Sequence, residues 1–154
     1  MKAVFTFIIV LSFLSCSTEE NKEAQSLSLD LVLKELPQEW KLVKMTGSFE
    51  GSETTGDEMY WQETYSFFED ETFIKTRINK EGETLTASGT FRITEEMETS
   101  EKSLVLTYDE AHDIIGSCYS KPEEYLYYRN DEKLLLSNWW ACDGPGLFYK
   151  KIQK

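Results

Sequence analysis

The chain is expected to fold as an all-β domain, an eight-stranded antiparallel up-and-down barrel preceded by a short N-terminal helix. Three observations predict it. Between Glu39 and Ile152, short runs rich in β-branched and aromatic residues alternate apolar with polar, each bounded by polar turns. Past residue 37 no stretch carries helical periodicity, and no connection is built like the helical crossover that parallel strands need. Finally, a meander of eight short strands leaves exposed edges, and closing it into a barrel removes them.

The helix comes first, in SLDLVLKELPQEW. Ser28 is a good N-cap, Asp30 suits the positive end of the helix, and Leu27 can staple onto Val32. Leu29, Val32, Leu33 and Leu36 recur as one apolar face, and Pro37 ends it. So short a helix has to dock on something. The strands then follow at 39–46, 60–68, 72–79, 84–94, 102–108, 124–129, 133–140 and 146–152, with tight turns at Glu69-Asp70-Glu71 and Lys80-Glu81-Gly82. Alternation is cleanest in the fourth strand. Leu85, Ala87, Gly89, Phe91 and Ile93 share one face, while Thr84, Thr86, Ser88, Thr90 and Arg92 share the other. Small residues at 87 and 89 point to tight curvature or to the close approach of a bulky neighbour.

Loop lengths distinguish the two ends. In an eight-strand meander the odd-numbered loops share one end, and the long first and fifth loops (47–59 and 109–123) lie there with the seventh, 141–145. The other end carries the short EDE and NDE turns, the loop 95–101 and the helix. One end is therefore expected to be open and the other closed.

Residues 1–15 have the form of a secretory signal. Lys2 is followed by an uncharged run, Ala3–Leu14, too short to span a membrane. Ser15-Cys16 then precedes a polar stretch and resembles the lipobox of bacterial lipoproteins, although Phe13 replaces the usual aliphatic residue. That resemblance implies cleavage before Cys16, acylation of Cys16 and stable anchoring by several acyl chains. The rival is a soluble secreted protein with an incidental cysteine. On the first reading residues 16–27 are a lipid-anchored flexible tether and 28–154 the barrel domain. Glu19-Glu20 resembles the signal with which some bacteria move lipoproteins onto the cell surface, so an outer-membrane location, periplasmic or surface-facing, is expected.

With Cys16 committed to lipid, Cys118 and Cys142 remain, an even number in an oxidising compartment. They are expected to pair, and both fall in loops at the open end. Closing a loop of this size contributes roughly 3.5 kcal/mol on the chain-entropy account. The competing reading is a zinc site built from both cysteines and His112, which lacks the usual fourth ligand.

Charge excludes one class of partner. The chain holds 28 acidic against 16 basic residues, a formal −12. That balance repels phosphate backbones, so nucleic acid is not an expected partner, and it also keeps an exposed protein soluble. A monomer is expected.

A tryptophan opening the first strand in LPQEWKLV, the hairpin SFFEDETFIK and the tail ACDGPGLFYKK together resemble bacterial lipocalin-like lipoproteins. The likeness spans nearly all of residues 36–152, with Gln38 standing where lipocalins have glycine. It implies a barrel with a cup for a small, often hydrophobic molecule, and a basic residue, Lys150 or Lys151, over Trp40. From the residues themselves, an eight-stranded barrel is just wide enough either to be filled by side chains or to hold one small ligand. Trp61, Tyr65 and Phe67 share a face with Glu63, and Tyr125 and Tyr127 share one with Arg129. Trp139 and Trp140 point to opposite sides of their strand. The ligand-contacting candidates are thus Trp61, Glu63, Tyr65, Phe67, Phe91, Tyr127, Arg129 and Trp139. The alternative leaves Glu63 and Arg129 facing water.

Catalytic signals are sparse. No nucleophile elbow, HExxH or phosphate-cradling glycine loop is present. Asp109, Glu110 and Asp113 flank His112 without the register of a calcium loop, so neither a metal nor a cofactor is expected. Three functions remain: a membrane-anchored binder of a small apolar or aromatic ligand, a surface protein-interaction or inhibitor module with a filled barrel, and an enzyme on a calycin-type barrel.

Overall fold

A computed structural model describes residues 33–95 and 102–152. It is all-β. In chain order the elements are β1 (Gln38–Thr46), β2 (Thr54–Thr55), β3 (Trp61–Phe67), β4 (Thr72–Asn79), β5 (Thr84–Glu95), β6 (Lys102–Tyr108), β7 (Glu123–Arg129), β8 (Leu134–Ser137) and β9 (Gly146–Ile152), with short 3-10 turns at Gly56–Glu58 and Asn138–Cys142. Apart from the two-residue β2, each strand pairs antiparallel with its sequence neighbour, and β1 pairs with β9 to close an eight-stranded up-and-down barrel. A register shift between Leu42 and Lys44 lets β1 bend across the seam. Most of the helix expected at 28–36, with the expected leader and tether, lies outside the described residues; Leu33–Glu35 are turn and bend.

The two short hairpins share one design. In each a three-residue loop ends on a left-handed residue, Glu71 (φ 62°) or Gly82 (φ 84°), and an N–H at that residue closes back onto Phe68 or Asn79. The first turn fixes register: Phe67 stands opposite Phe73, Tyr65 opposite Lys75, and Glu63 opposite Arg77. Since side chains alternate with a period of two, all six point into the barrel. In β5 the inward set is the one expected, with Gly89 at its centre. A Cβ there would lie 2.0 Å from the Thr107 carbonyl oxygen, so glycine is what permits β6 to approach this closely.

The barrel core is aromatic. Phe67 meets Phe91 at 5.1 Å, Phe73 meets Tyr108 at 4.9 Å and Tyr65 meets Tyr149 at 4.9 Å between ring centroids, all edge-on. Trp40 is buried with its indole N–H donating to Gln38 Oε1 at 3.1 Å and its ring edge-on to Tyr128. Lys151 stands opposite Trp40 in the β1–β9 register.

Candidate functional site

The middle of the barrel holds charge. Lys75, on β4, is fully buried, and its ammonium donates to Glu124 Oε1 at 2.7 Å and to the Ile114 carbonyl at 2.8 Å, with Glu63 Oε1 at 3.1 Å. Three donors meet three acceptors. Arg77, one step up β4, donates through Nε to Glu63 Oε2 at 2.6 Å and through Nη2 to the same Ile114 carbonyl at 3.1 Å, while its guanidinium lies 4.2 Å from the Trp61 ring. Glu124 on β7 also accepts from Tyr65 at 2.5 Å, from the Tyr108 hydroxyl and from the Gly116 N–H; Glu63 also accepts from Tyr149. Two carboxylates, two cations and three phenols thus saturate one another, which is the condition for burying charge at all.

The phenols report that environment. Tyr65, Tyr108 and Tyr149 are held well above the ordinary tyrosine range. Burial is the largest cause in each, followed by the negative charge of Glu124 beside Tyr65 and Tyr108 and of Glu63 beside Tyr149.

The loop between β6 and β7 closes the end expected to be open. Ile114 is fully buried, with its carbonyl aimed down at Lys75 and Arg77, and the Gly116 N–H caps Glu124. His112 Nδ1 accepts the Ile114 N–H at 3.3 Å, so the imidazole shapes this loop. Cys118 and Cys142 form the expected disulfide, Cα to Cα 5.6 Å, pinning the loop to the β8–β9 connection. Among the described residues no group of three His, Cys, Asp or Glu side chains could hold a metal ion.

Trp61, Glu63, Tyr65, Phe67 and Phe91 all lie on inward faces, but Glu63, Tyr65 and Phe67 are buried against their neighbours. Among the described residues Trp61 Nε1 is the buried side-chain polar atom without a hydrogen-bond partner. The expected face of β7 is reversed. Glu124, Leu126 and Tyr128 point inward, while Tyr127 and Arg129 are on the outer surface, where Arg129 pairs with Asp131 and Glu132 at 3.2 and 3.3 Å.

The two tryptophans need a correction too. The eighth strand stops at Ser137 instead of running to residue 140, because the Ser137 hydroxyl accepts the Trp139 N–H at 3.2 Å and starts a 3-10 turn that ends on left-handed Asp143. Trp139 does not line an open cup. Its ring is clamped between Gly116 and Gly144, where a Cβ would come within 2.7 and 2.5 Å of it. Lys75, Arg77, Tyr108, Glu124 and Tyr149 were missed by reading strands singly; the signal that finds the first two is the three-residue turn that places them opposite Tyr65 and Glu63.

A second region is exposed. Phe49 (74% exposed), Tyr60 (69%), Tyr119 (57%) and Trp140 (55%) stand on three loops at the end plugged by Ile114. The four connections at that end, 47–60, 80–83, 109–122 and 138–145, carry ten acidic side chains against Lys80 and Lys121. Comparison of the chain with protein-family models, with curated proteins and with solved structures finds no match in any of the three.

Proposed function

We propose that this protein is a non-enzymatic, membrane-anchored interaction module of lipocalin-like descent, held at a bacterial outer membrane through acylated Cys16. In this reading the barrel is a rigid support and the loop end is the contact surface. One observation carries it: four exposed aromatics stand on an acidic rim above an interior whose charged groups are already spent on each other and on the loop backbone. Aromatic side chains are the usual anchors of protein interfaces, and a surrounding ring of acids selects a basic partner. The partner is therefore a protein surface combining Lys or Arg with apolar side chains.

The test is calorimetric titration of the full chain with a cationic amphipathic peptide and with an acidic peptide of equal hydrophobicity. The cationic peptide should bind with marked salt dependence, and Phe49→Ser/Trp140→Ser should weaken it about tenfold or more. Equal binding of both peptides, or indifference to the double substitution, would overturn the reading. A small ligand inside the barrel is the second reading, favoured by the unpartnered Trp61 indole N–H beside Arg77.

A further inference from the structure

The segment between Tyr108 and the disulfide at Cys118 plugs its end of the barrel through backbone groups. The Ile114 carbonyl accepts from Lys75 and Arg77, the Gly116 N–H donates to Glu124, and the Asp109 N–H donates to the Ser88 carbonyl at 3.0 Å. Ile114 is tied down a second time by His112, the chain's only histidine, whose Nδ1 accepts the Ile114 N–H at 3.3 Å. Histidine is the side chain that ordinarily changes charge between pH 5 and 8. Accepting at Nδ1 requires the neutral ring, with its proton on Nε2. A proton on Nδ1 turns the acceptor into a donor facing a donor, and leaves the N–H of a fully buried residue unpaired.

A charged ring has other partners at hand. His112 lines a small hollow of about 110 Å³ with Asp109, Glu110 and the β5 residues Thr86, Ala87 and Ser88. Among the described residues β5 brings no titratable group to it; the Ser88 hydroxyl donates to Asp109 at 2.7 Å, and Asp113 follows His112 directly in the chain. The groups around the imidazole are therefore carboxylates and hydroxyls. The cations Lys75 and Arg77 stand on the other side of Ile114, at its carbonyl.

We infer that His112 is an acid-sensitive latch on the plug. Neutral, it holds Ile114 down; protonated, it leaves the Ile114 N–H for Asp109 and Glu110, and the plug lifts from Lys75, Arg77 and Glu124. The closed plug needs the neutral ring, whereas the open one accommodates either form. Closure is therefore fully present at high pH and is lost as pH falls. The disulfide confines the movement to the segment before Cys118. The latch acts on the barrel's own charges and does not depend on the role of the exposed aromatic rim.

The experiment is amide hydrogen exchange of the full chain by nuclear magnetic resonance at about pH 8 and about pH 5, which bracket the usual histidine range. Protection is taken relative to the unstructured rate at each pH. At Ile114 and Gly116 it should fall about tenfold or more on acidification, while protection in β3 and β4 holds. His112→Asn puts an amide oxygen where Nδ1 stands and does not titrate, so its plug should stay protected at both pH values. His112→Phe has no acceptor and should be poorly protected at both. Nitrogen-15 shifts of the imidazole should show Nδ1 without its proton at the higher pH. A response in His112→Asn equal to that of the unsubstituted chain, an equal loss throughout β3 and β4, or unchanged protection at Ile114 and Gly116 would each overturn the assignment. So would a protonated Nδ1 in the closed protein at the higher pH.

Discussion

Lys75→Met is expected to cost about 3–5 kcal/mol, read as a lowered urea midpoint at unchanged slope. The methionine fills most of the lysine's volume, so the loss is electrostatic. Glu63 and Glu124 would remain buried with Arg77 as the one cation between them, and the Ile114 carbonyl would lose one of its two donors. Against a total stability of roughly 5–15 kcal/mol for a domain, this is a large fraction. Lys75→Met/Glu124→Gln should recover part of the loss, because removing both charges is milder than orphaning one. The double substitution should therefore fall short of the sum of the singles by about 1–3 kcal/mol. Strict additivity would mean that the two side chains do not meet.

Opening the disulfide is the second large effect. Cys118→Ala/Cys142→Ala should lower stability by about 2–4 kcal/mol, and a reductant should reproduce this in the unsubstituted chain. The bridge does more than shorten a free loop. It holds the segment that presents the Ile114 carbonyl and the Gly116 N–H to the buried charges, and it sits beside the Trp139 clamp. Hydrogen exchange at Gly116 should therefore accelerate on reduction by more than exchange in β3 or β4. Uniform acceleration across the barrel would argue for a purely global effect.

Much of the architecture was legible because alternation and turns agree. The strand positions and the Cys118–Cys142 pair follow from patterning, loop parity and cysteine count, and the closed eight-stranded barrel from the need to hide edges. Three features were not legible. In TFIKTRIN the apolar residues Ile74 and Ile78 suggest the buried face, yet they are partly exposed while Lys75 and Arg77 are inside. Only the register imposed by Glu69–Glu71 reveals this, since it sets Phe73 opposite Phe67. In EEYLYYR either face reads as amphipathic, and the inward choice is decided by Lys75 reaching Glu124 from another strand, a contact 49 residues apart. At Asn138–Cys142 the hydroxyl of Ser137 competes for the backbone and ends the strand early, a local preference that apolar patterning does not register. The first two failures lie where burial of polar groups overrides hydrophobic period, which is where the candidate site is. The third lies where a side-chain cap ends a strand.

The central claim is that the barrel's middle is filled by its own charged and phenolic side chains, and an alkaline titration of phenolate absorbance tests it most directly. Below about pH 10 the folded and unfolded chains hold the same phenolic protons. Above it the unfolded chain releases protons that buried Tyr65, Tyr108 and Tyr149 retain, so stability falls as pH rises. The prediction is that these three of the eight tyrosines stay unionised until the protein unfolds, then titrate together with loss of the near-ultraviolet dichroism. Ionisation of all eight near the ordinary value in protein that is still folded would contradict the account, and would describe a barrel whose centre is open to water.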